Sequence, residues 1–393
     1  MRDSLYVAWK YVSYNRWKTV VLVACIGLIT SLPLALQIVV DESERQLMSR
    51  ATGSPLVVGA KGSALDLVMS TLYFAGRPPE EIDVQESARI DDSGLALSIP
   101  VFVRFETRGS PIVGTTLDYL DFRGLRIREG RSLALLGDCV LGASVAERLG
   151  LGPGDALASS PENLFDLAGA YPLKMTVAGV LEPSHSPDDL AVFVDLKSAW
   201  IMAGLGHGHQ DLARTRDPTL ILERSDSNVT ANAKVREFTE IDPTNLDAFH
   251  FHGDRSSYPI TAVIAVPRDP KSRVLLMGRF ESASATGQIV RPTGVIEELL
   301  ADIFEVERLM EAGFLIVGLA TALSIVLVFV LSLRLRQREI ATMFALGCSR
   351  MMIGRLMAAE IVIILLLAAG FTLGSVATVS AFGDRFVRLV ITR

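Results

Sequence analysis

Three unbroken apolar runs divide the chain. Thr19 to Val40, TVVLVACIGLITSLPLALQIVV, carries no charge between Lys18 and Asp41, and Ala312 to Leu333 and Ile361 to Phe382 are equally uninterrupted. A helix of about 20 apolar residues crosses a bilayer core, so each run is long enough. The first run exceeds the roughly 7–15-residue apolar core of a signal peptide. LVAC, Leu22 to Cys25, imitates a lipoprotein processing site, but cleavage there would cut a membrane helix in half. The run is read as an uncleaved anchor. Arg2, Lys10, Arg16 and Lys18 precede it, and Arg334, Arg336, Arg338, Arg350 and Arg355 lie between the second and third runs. Basic flanking loops stay in the cytoplasm. The pattern therefore predicts a cytoplasmic segment 1–18, spans at 19–40, 312–333 and 361–382, a cytoplasmic segment 334–360, and an outer domain from 41 to 311. The short tail 383–393 is then outside, although Arg385, Arg388 and Arg393 mildly oppose that placement.

Between the first two runs the pattern changes to strands. LALSIPVFVRFET, PIVGTT, KMTVAGVLEP, AVFVDL and PITAVIAVP have strand-like patterning. GASVAERLGLGPGDAL, Gly142 to Leu157, reads as a short helix ended by Gly150 and followed by a turn. The fold class is membrane α-helical, with a large extracytoplasmic α+β domain of antiparallel or mixed strands between the first and second spans. Its two ends read as stalk helices. Asp41 to Ser54 continues the first span as a charged helix. In Thr293 to Glu311, Ile296, Leu299, Leu300, Ile303, Phe304, Val306, Leu309 and Met310 mostly form one stripe leading into the second.

The segment 334–360 is basic and amphipathic, with Ile340, Met343, Phe344, Gly347 and Met351 spaced for one helical face. Three readings fit: a loop retained inside by its arginines, a helix lying on anionic lipid, or a docking helix for a cytoplasmic partner. In the third run Gly370 and Gly374 make a G-x-x-x-G step, which allows close helix approach in a dimer.

Composition narrows these options. The chain has 393 residues, a mean hydropathy of +0.37 with 21% charged residues, and a net charge of -6. The acidic balance argues against a nucleic-acid partner, which needs a basic face. Of Cys25, Cys139 and Cys348 only Cys139 falls in the outer domain, so no intrachain disulfide is expected there. No G-x-x-x-x-G-K-[ST] occurs, and GAKGS at Gly59 to Ser63 lacks the spacing that cradles phosphates.

RxREIATMFALGCSRMMIGRLMAAE resembles the cytoplasmic loop of MacB/LolC/FtsX-like ABC transporter permeases. Arg338, Glu339 and Ile340 match its start, Ala345, Leu346 and Gly347 its middle, and Glu360 its closing acid. VGTTLDYLDFRGLRIREGR, CVLGASVAERLGLGPGDAL, TVAGVLEPSHSPDDLAVFVDLKSAW, SPLVVGAKGSALDLVMSTLYF and WKYVSYNRWKT resemble further segments of these permeases, so the likeness covers most of the chain. It implies a multi-pass protein of the bacterial inner membrane with no enzyme activity of its own. A separate ABC ATP-binding subunit would carry the ATP and dock on 334–360, through Arg338, Glu339, Ile340, Phe344, Gly347 and Arg350. A second copy, or a related permease, would complete the unit, and a periplasmic adaptor or metal-binding protein is a further partner. Such permeases relay ATP-driven motion to their outer domains for export, release or handling of a periplasmic substrate. The alternatives are an FtsX-like regulator of a cell-wall hydrolase and a metal-binding receptor or sensor. The family normally has four spans; this sequence shows three, either as part of a longer chain or as a three-span variant.

All five histidines fall in the outer domain. HGHQD supplies His207, His209 and Asp211; HFHGD supplies His250, His252 and Asp254. Histidines two apart on a strand point the same way, so two such clusters meeting in space would offer ligands suited to zinc. His185 is a further candidate. The competing reading is solvated turn histidines beside Gly and Asp. The metallo-hydrolase form H-x-H-x-D-H is not met, because Leu212 and Arg255 occupy its final position.

Overall fold

The computed structural model describes residues 2–160, 172–209, 221–224, 229–231, 238–241, 244–281, 286–335 and 337–391. It forms two compact units, Leu47–Glu297, and Met1–Gln46 together with Glu298–Arg393.

The unit Leu47–Glu297 is organised by a ten-stranded sheet. Its main path runs Gly287–Val290, Leu56–Ala60, Ala262–Pro267, Ala96–Thr107, Ser110–Thr115, Val192–Asp195, Asp138–Leu141, Lys174–Leu181, Ile127–Gly130, with Ala156–Ala158 also paired to Lys174–Leu181. The sheet is mixed: Ser110–Thr115 runs parallel to Val192–Asp195, and Asp138–Leu141 to Lys174–Leu181, while the other pairs are antiparallel. The strands expected from the alternating segments all form. Leu56–Ala60 is buried along its whole length, which is why it reads as continuous apolar sequence rather than as alternation. Helix Ala143–Leu149 ends at Gly150 in the left-handed conformation, as its sequence predicts. The core gathers Leu56, Phe102, Ile112, Leu141, Val177 and Val263. Cys139 is buried among them, and burial beside Asp138 pushes its thiol up to about 12.

Gly114 lets helix Leu196–Met202 lie directly on the sheet, since a Cβ there would stand 2.5 Å from that of Ala199. Gly114→Val is expected to cost about 1–3 kcal/mol through overpacking. Trp200 sits on that helix with Nε1 donating to the Pro259 carbonyl at 2.8 Å, so in a Trp9→Phe/Trp17→Phe background its fluorescence during urea unfolding reads the loss.

The other unit is helical. Arg2–Tyr14 is a separate amphipathic helix, and its Ala8 and Val12 are buried with Ile363 of helix Arg350–Ile391. The first apolar run lies in helix Arg16–Thr52, and the third in Arg350–Ile391. Lys18 Nζ pairs with Glu360 at 3.2 Å, and Thr30 Oγ1 hydrogen-bonds Thr372 Oγ1 at 2.7 Å. Between them, Gly27 faces Phe371 so closely that a Cβ would meet the ring at 2.4 Å. The partners advance together along both helices, so these two helices run parallel. Among the described residues, Arg16–Thr52 and Arg350–Phe382 are long and apolar enough to cross a membrane; Ala312–Leu327 is a shorter apolar stretch within helix Pro292–Leu335.

The third run lies inside a longer helix, which begins eleven residues earlier, at Arg350, and continues into the tail as far as Ile391. No proline interrupts that stretch, so helical hydrogen bonding carries on past the apolar run. One expectation changes here: no single helical face runs from Ile340 to Met351. Helix Gln337–Ala345 stops, and Gly347 adopts a φ of 88° before Arg350 starts the next helix.

Candidate functional site

The break at Gly347 is a glycine-terminated helix end of the Schellman kind. The Cys348 N–H donates to the Met343 carbonyl and the Gly347 N–H to that of Phe344, each at 3.0 Å. The Ser349 hydroxyl then accepts from the Met352 N–H at 3.3 Å, opening the following helix. The turn presents Phe344, Leu346, Met351 and Met352 outward, with Leu346 80% and Met351 67% exposed. Arg338 and Arg350 are exposed beside them and Ile340 is half-buried. Glu339 belongs to the same short helix, its side chain lying outside the described residues. The expected docking residues thus lie around one helix–turn–helix corner. Glu360, the closing acid, is instead buried against Lys18. Gly370 and Gly374 are exposed, and a Cβ at either would meet nothing within 4 Å.

In the outer unit the two H-x-H motifs meet. Gly206–Gly208 pairs antiparallel with Phe249–Phe251, placing His207 directly opposite His250. The His252 N–H donates to the Leu205 carbonyl at 3.0 Å, which extends the ladder by one position. Because side chains alternate along a strand, His207, His209, His250 and His252 share one face. Ring centroids are 4.8 Å apart for His207 and His250, 4.8 Å for His207 and His252, 5.0 Å for His209 and His250, and 4.7 Å for His250 and His252. The opposite face carries Phe249 and Phe251, packed against the core. A Cβ on Gly206 would meet the Phe251 ring at 2.7 Å, and one on Gly208 the Phe249 ring at 2.7 Å. Gly-His-Gly-His thus lies against Phe-His-Phe-His, with aromatics covering glycines on one side and imidazoles collected on the other.

The carboxylates behave differently. Asp254 caps the turn Arg255–Ser257, accepting from the Ser256 N–H at 2.9 Å, and that hydrogen bond holds its carboxyl below the usual range. It is outside the group of His207, His209 and His250 whose ligand atoms approach one another, because its Asx-type turn claims the side chain. Asp211 lies outside the described residues. His185 sits in the loop before Pro187–Leu190, with φ 55° and its N–H held by Asp189 at 2.8 Å, and is likewise not a member of that group.

A buried ionic cluster was not foreseen from sequence. Arg50 and Asp188 form a two-pronged ion pair with side chains 6% and 1% exposed. Arg50 Nη2 also donates to the Tyr119 hydroxyl at 2.8 Å, Nε to the Leu72 carbonyl at 2.9 Å, and the Tyr119 hydroxyl to Asp188 at 2.7 Å. Burial alone would raise Asp188, but the charge and hydrogen bonds of Arg50 outweigh it and hold the carboxyl below its ordinary value. The same burial opposes the Arg50 charge, and Tyr119 and Asp188 reverse its effect. Gly142 passes so close that a Cβ would stand 2.3 Å from the Asp188 carbonyl oxygen.

A family model for the MacB-like periplasmic core domain matches residues 24–241, more than half of the chain. No curated protein matches the sequence. Among solved structures, the periplasmic region of MacB from Actinobacillus actinomycetemcomitans is 10% identical, with TM-score 0.35, over 64% of this chain and 97% of that one. The extracellular domain of the noncanonic ABC-type transporter YknZ from Gram-positive bacteria is 10% identical, with TM-score 0.33, over 60% of this chain and 98% of that one. By the match over residues 24–241, the chain belongs to the family defined by the MacB-like periplasmic core domain.

Proposed function

We propose that this chain is the membrane subunit of an ABC-type transporter, coupling ATP hydrolysis by a separate ATP-binding subunit to motion of its outer domain. Family membership supports the permease role, and the exposed corner at Gly347 carries the coupling reading. Phe344, Leu346, Met351 and Met352 present large apolar side chains there, flanked by Arg338 and Arg350. Apolar anchors with a basic rim suit insertion into a groove on a protein partner. The parallel course of the helices holding the first and third runs supports an odd number of crossings from the first to the third, and the basic flanks assign the N-terminus to the cytoplasm. Two spans pointing the same way need one crossing between them, and 312–333 supplies it. Helices Arg16–Thr52 and Pro292–Leu335 each continue beyond their apolar runs, as a stalk that relays motion requires. The exposed Gly370 and Gly374 face is assigned to a second copy or a related permease in the membrane.

Phe344→Asp is the test. A carboxylate pressed into an apolar groove costs several kcal/mol, and each 1.4 kcal/mol or so is tenfold in affinity. The tagged full chain, purified from its native membrane, is expected to carry an ABC ATPase, and the variant to lose at least about tenfold of it. Trp200 fluorescence should be unchanged, since the substitution lies in the other unit. Equal recovery of the ATPase with the variant would refute docking at this corner.

A further inference from the structure

We propose that His207, His209, His250 and His252 form a binding site for a divalent transition metal of the zinc class on the outer domain. The inference is independent of ATPase docking, and stands or falls on the ribbon itself. Ligand chemistry comes first. Four imidazoles with no thiolate in the set suit borderline ions such as zinc, copper(II) or nickel rather than calcium or magnesium, which take oxygen ligands.

Geometry comes second. One ligand nitrogen from each of His207, His209 and His250 lies within 4.8 Å of the other two. A tetrahedral zinc ion with Zn–N of about 2.0–2.1 Å needs its nitrogens about 3.4 Å apart. Closing that gap calls for side-chain rotation, and the pairing of His207 with His250 already sets their side chains on one face. His252, with its ring 4.8 Å from His207 and 4.7 Å from His250, is placed to supply the fourth nitrogen.

The ribbon also orients its ligands. His250 Nδ1 lies 3.2 Å from the Ala248 carbonyl. Donating there leaves Nε2 with its lone pair free for a metal, the usual way an outer hydrogen bond selects the tautomer of a ligating histidine. The strands are held from behind. Phe251 lies tilted against Tyr258 at 6.2 Å, and Tyr258 meets Trp200 edge-on at 5.0 Å. The histidine face is therefore backed by the core yet accessible, with His207, His209 and His250 half-exposed and His252 exposed. Half-exposed neutral ligands favour exchangeable loading over the closed thiolate cages of structural zinc sites.

The experiment uses the full chain in detergent, stripped with a chelator and titrated with Zn2+ against a fluorescent competitor. Wild type should take up one ion per chain with sub-micromolar affinity, unaffected by millimolar Mg2+. The pair His207→Gln/His250→Gln should weaken binding by more than about 100-fold, since it removes two ligands from the centre of the set. Trp200 emission of the metal-free variant should match wild type, because the Phe249 and Phe251 face is untouched. Co2+ gives a readout that needs no variant: the intense ligand-field absorption of tetrahedral nitrogen coordination should appear at one equivalent. Zinc bound equally by the variant, a weak octahedral Co2+ spectrum, or no binding by wild type would each overturn the site.

Discussion

Arg50→Met should destabilise the outer unit by about 3–5 kcal/mol, because it leaves Asp188 buried and charged without its partner. Asp188 is 1% exposed and keeps the hydroxyl donors of Tyr119 and Ser186 once the guanidinium is gone. For a unit of this size that is a drop in melting temperature on the order of 10 °C. The measurement is urea or thermal unfolding of the full chain, followed by Trp200 in a Trp9→Phe/Trp17→Phe background. Arg50→Lys should fall between, since an ammonium cannot present a fork to both Asp188 oxygens while reaching Tyr119 and Leu72. Replacing both charges, as Arg50→Met/Asp188→Leu, should recover most of the loss, because the cost arises from the orphaned charge. A double variant no better than Arg50→Met alone would refute that account.

The same cluster sets an acid dependence with a definite sign. The folded pKa of Asp188 lies below its unfolded value. Its stabilisation is therefore complete above the unfolded value of about 3.9 and is lost as pH falls through the folded pKa. The stability gap between wild type and Asp188→Asn should be constant from about pH 6 to 8 and shrink only in strong acid. A gap that changed across neutral pH would mean that another group titrates in the cluster.

What could be read ahead of the structure was whatever repeats at short range. Alternation marked Ala96–Thr107 and Ala262–Pro267 as strands, and Gly150 marked a helix end. Two H-x-H motifs promised same-face histidines within each strand. Their meeting depends on the pairing of Gly206–Gly208 with Phe249–Phe251, which no local pattern specifies. In hindsight the matching Gly-His and Phe-His alternations are a pairing signal, since aromatic rings cover cross-strand glycines. Asp254 opens Asp-Arg-Ser-Ser, a sequence that caps a turn as readily as it ligates, and here it caps one. The coupling segment was legible as basic and apolar, but the left-handed turn at Gly347 moved Met351 to another helix. Arg50 and Asp188 were illegible for the plainest reason: 138 positions separate them. Arg50 belongs to the charged run of a stalk helix, and nothing local marks Asp188 as its partner.

Phe193→Ala is expected to rival the ionic variants, at about 3–5 kcal/mol for a fully buried ring. Phe193 is 0% exposed in the strand Val192–Asp195, with Phe74 edge-on at 6.4 Å and Tyr119 tilted at 5.6 Å. That second contact makes the substitution more than a cavity. The Tyr119 ring is held on Phe193 while its hydroxyl bridges Arg50 and Asp188, so removing Phe193 frees the ring that aims the bridge. Groups sharing one network do not act additively, and coupling energies of about 0.5–3 kcal/mol are usual. In a cycle with Tyr119→Phe, which keeps the ring and deletes the hydroxyl, the two losses should sum to more than the double variant shows. Strict additivity would mean that the hydroxyl holds its place without the ring beneath it. Phe193→Leu should restore part of the lost burial but not the ring contact, leaving the hydroxyl less firmly aimed at Asp188. Apolar packing and the buried ion pair would then be one structure, with the aromatic floor keeping the charges in register.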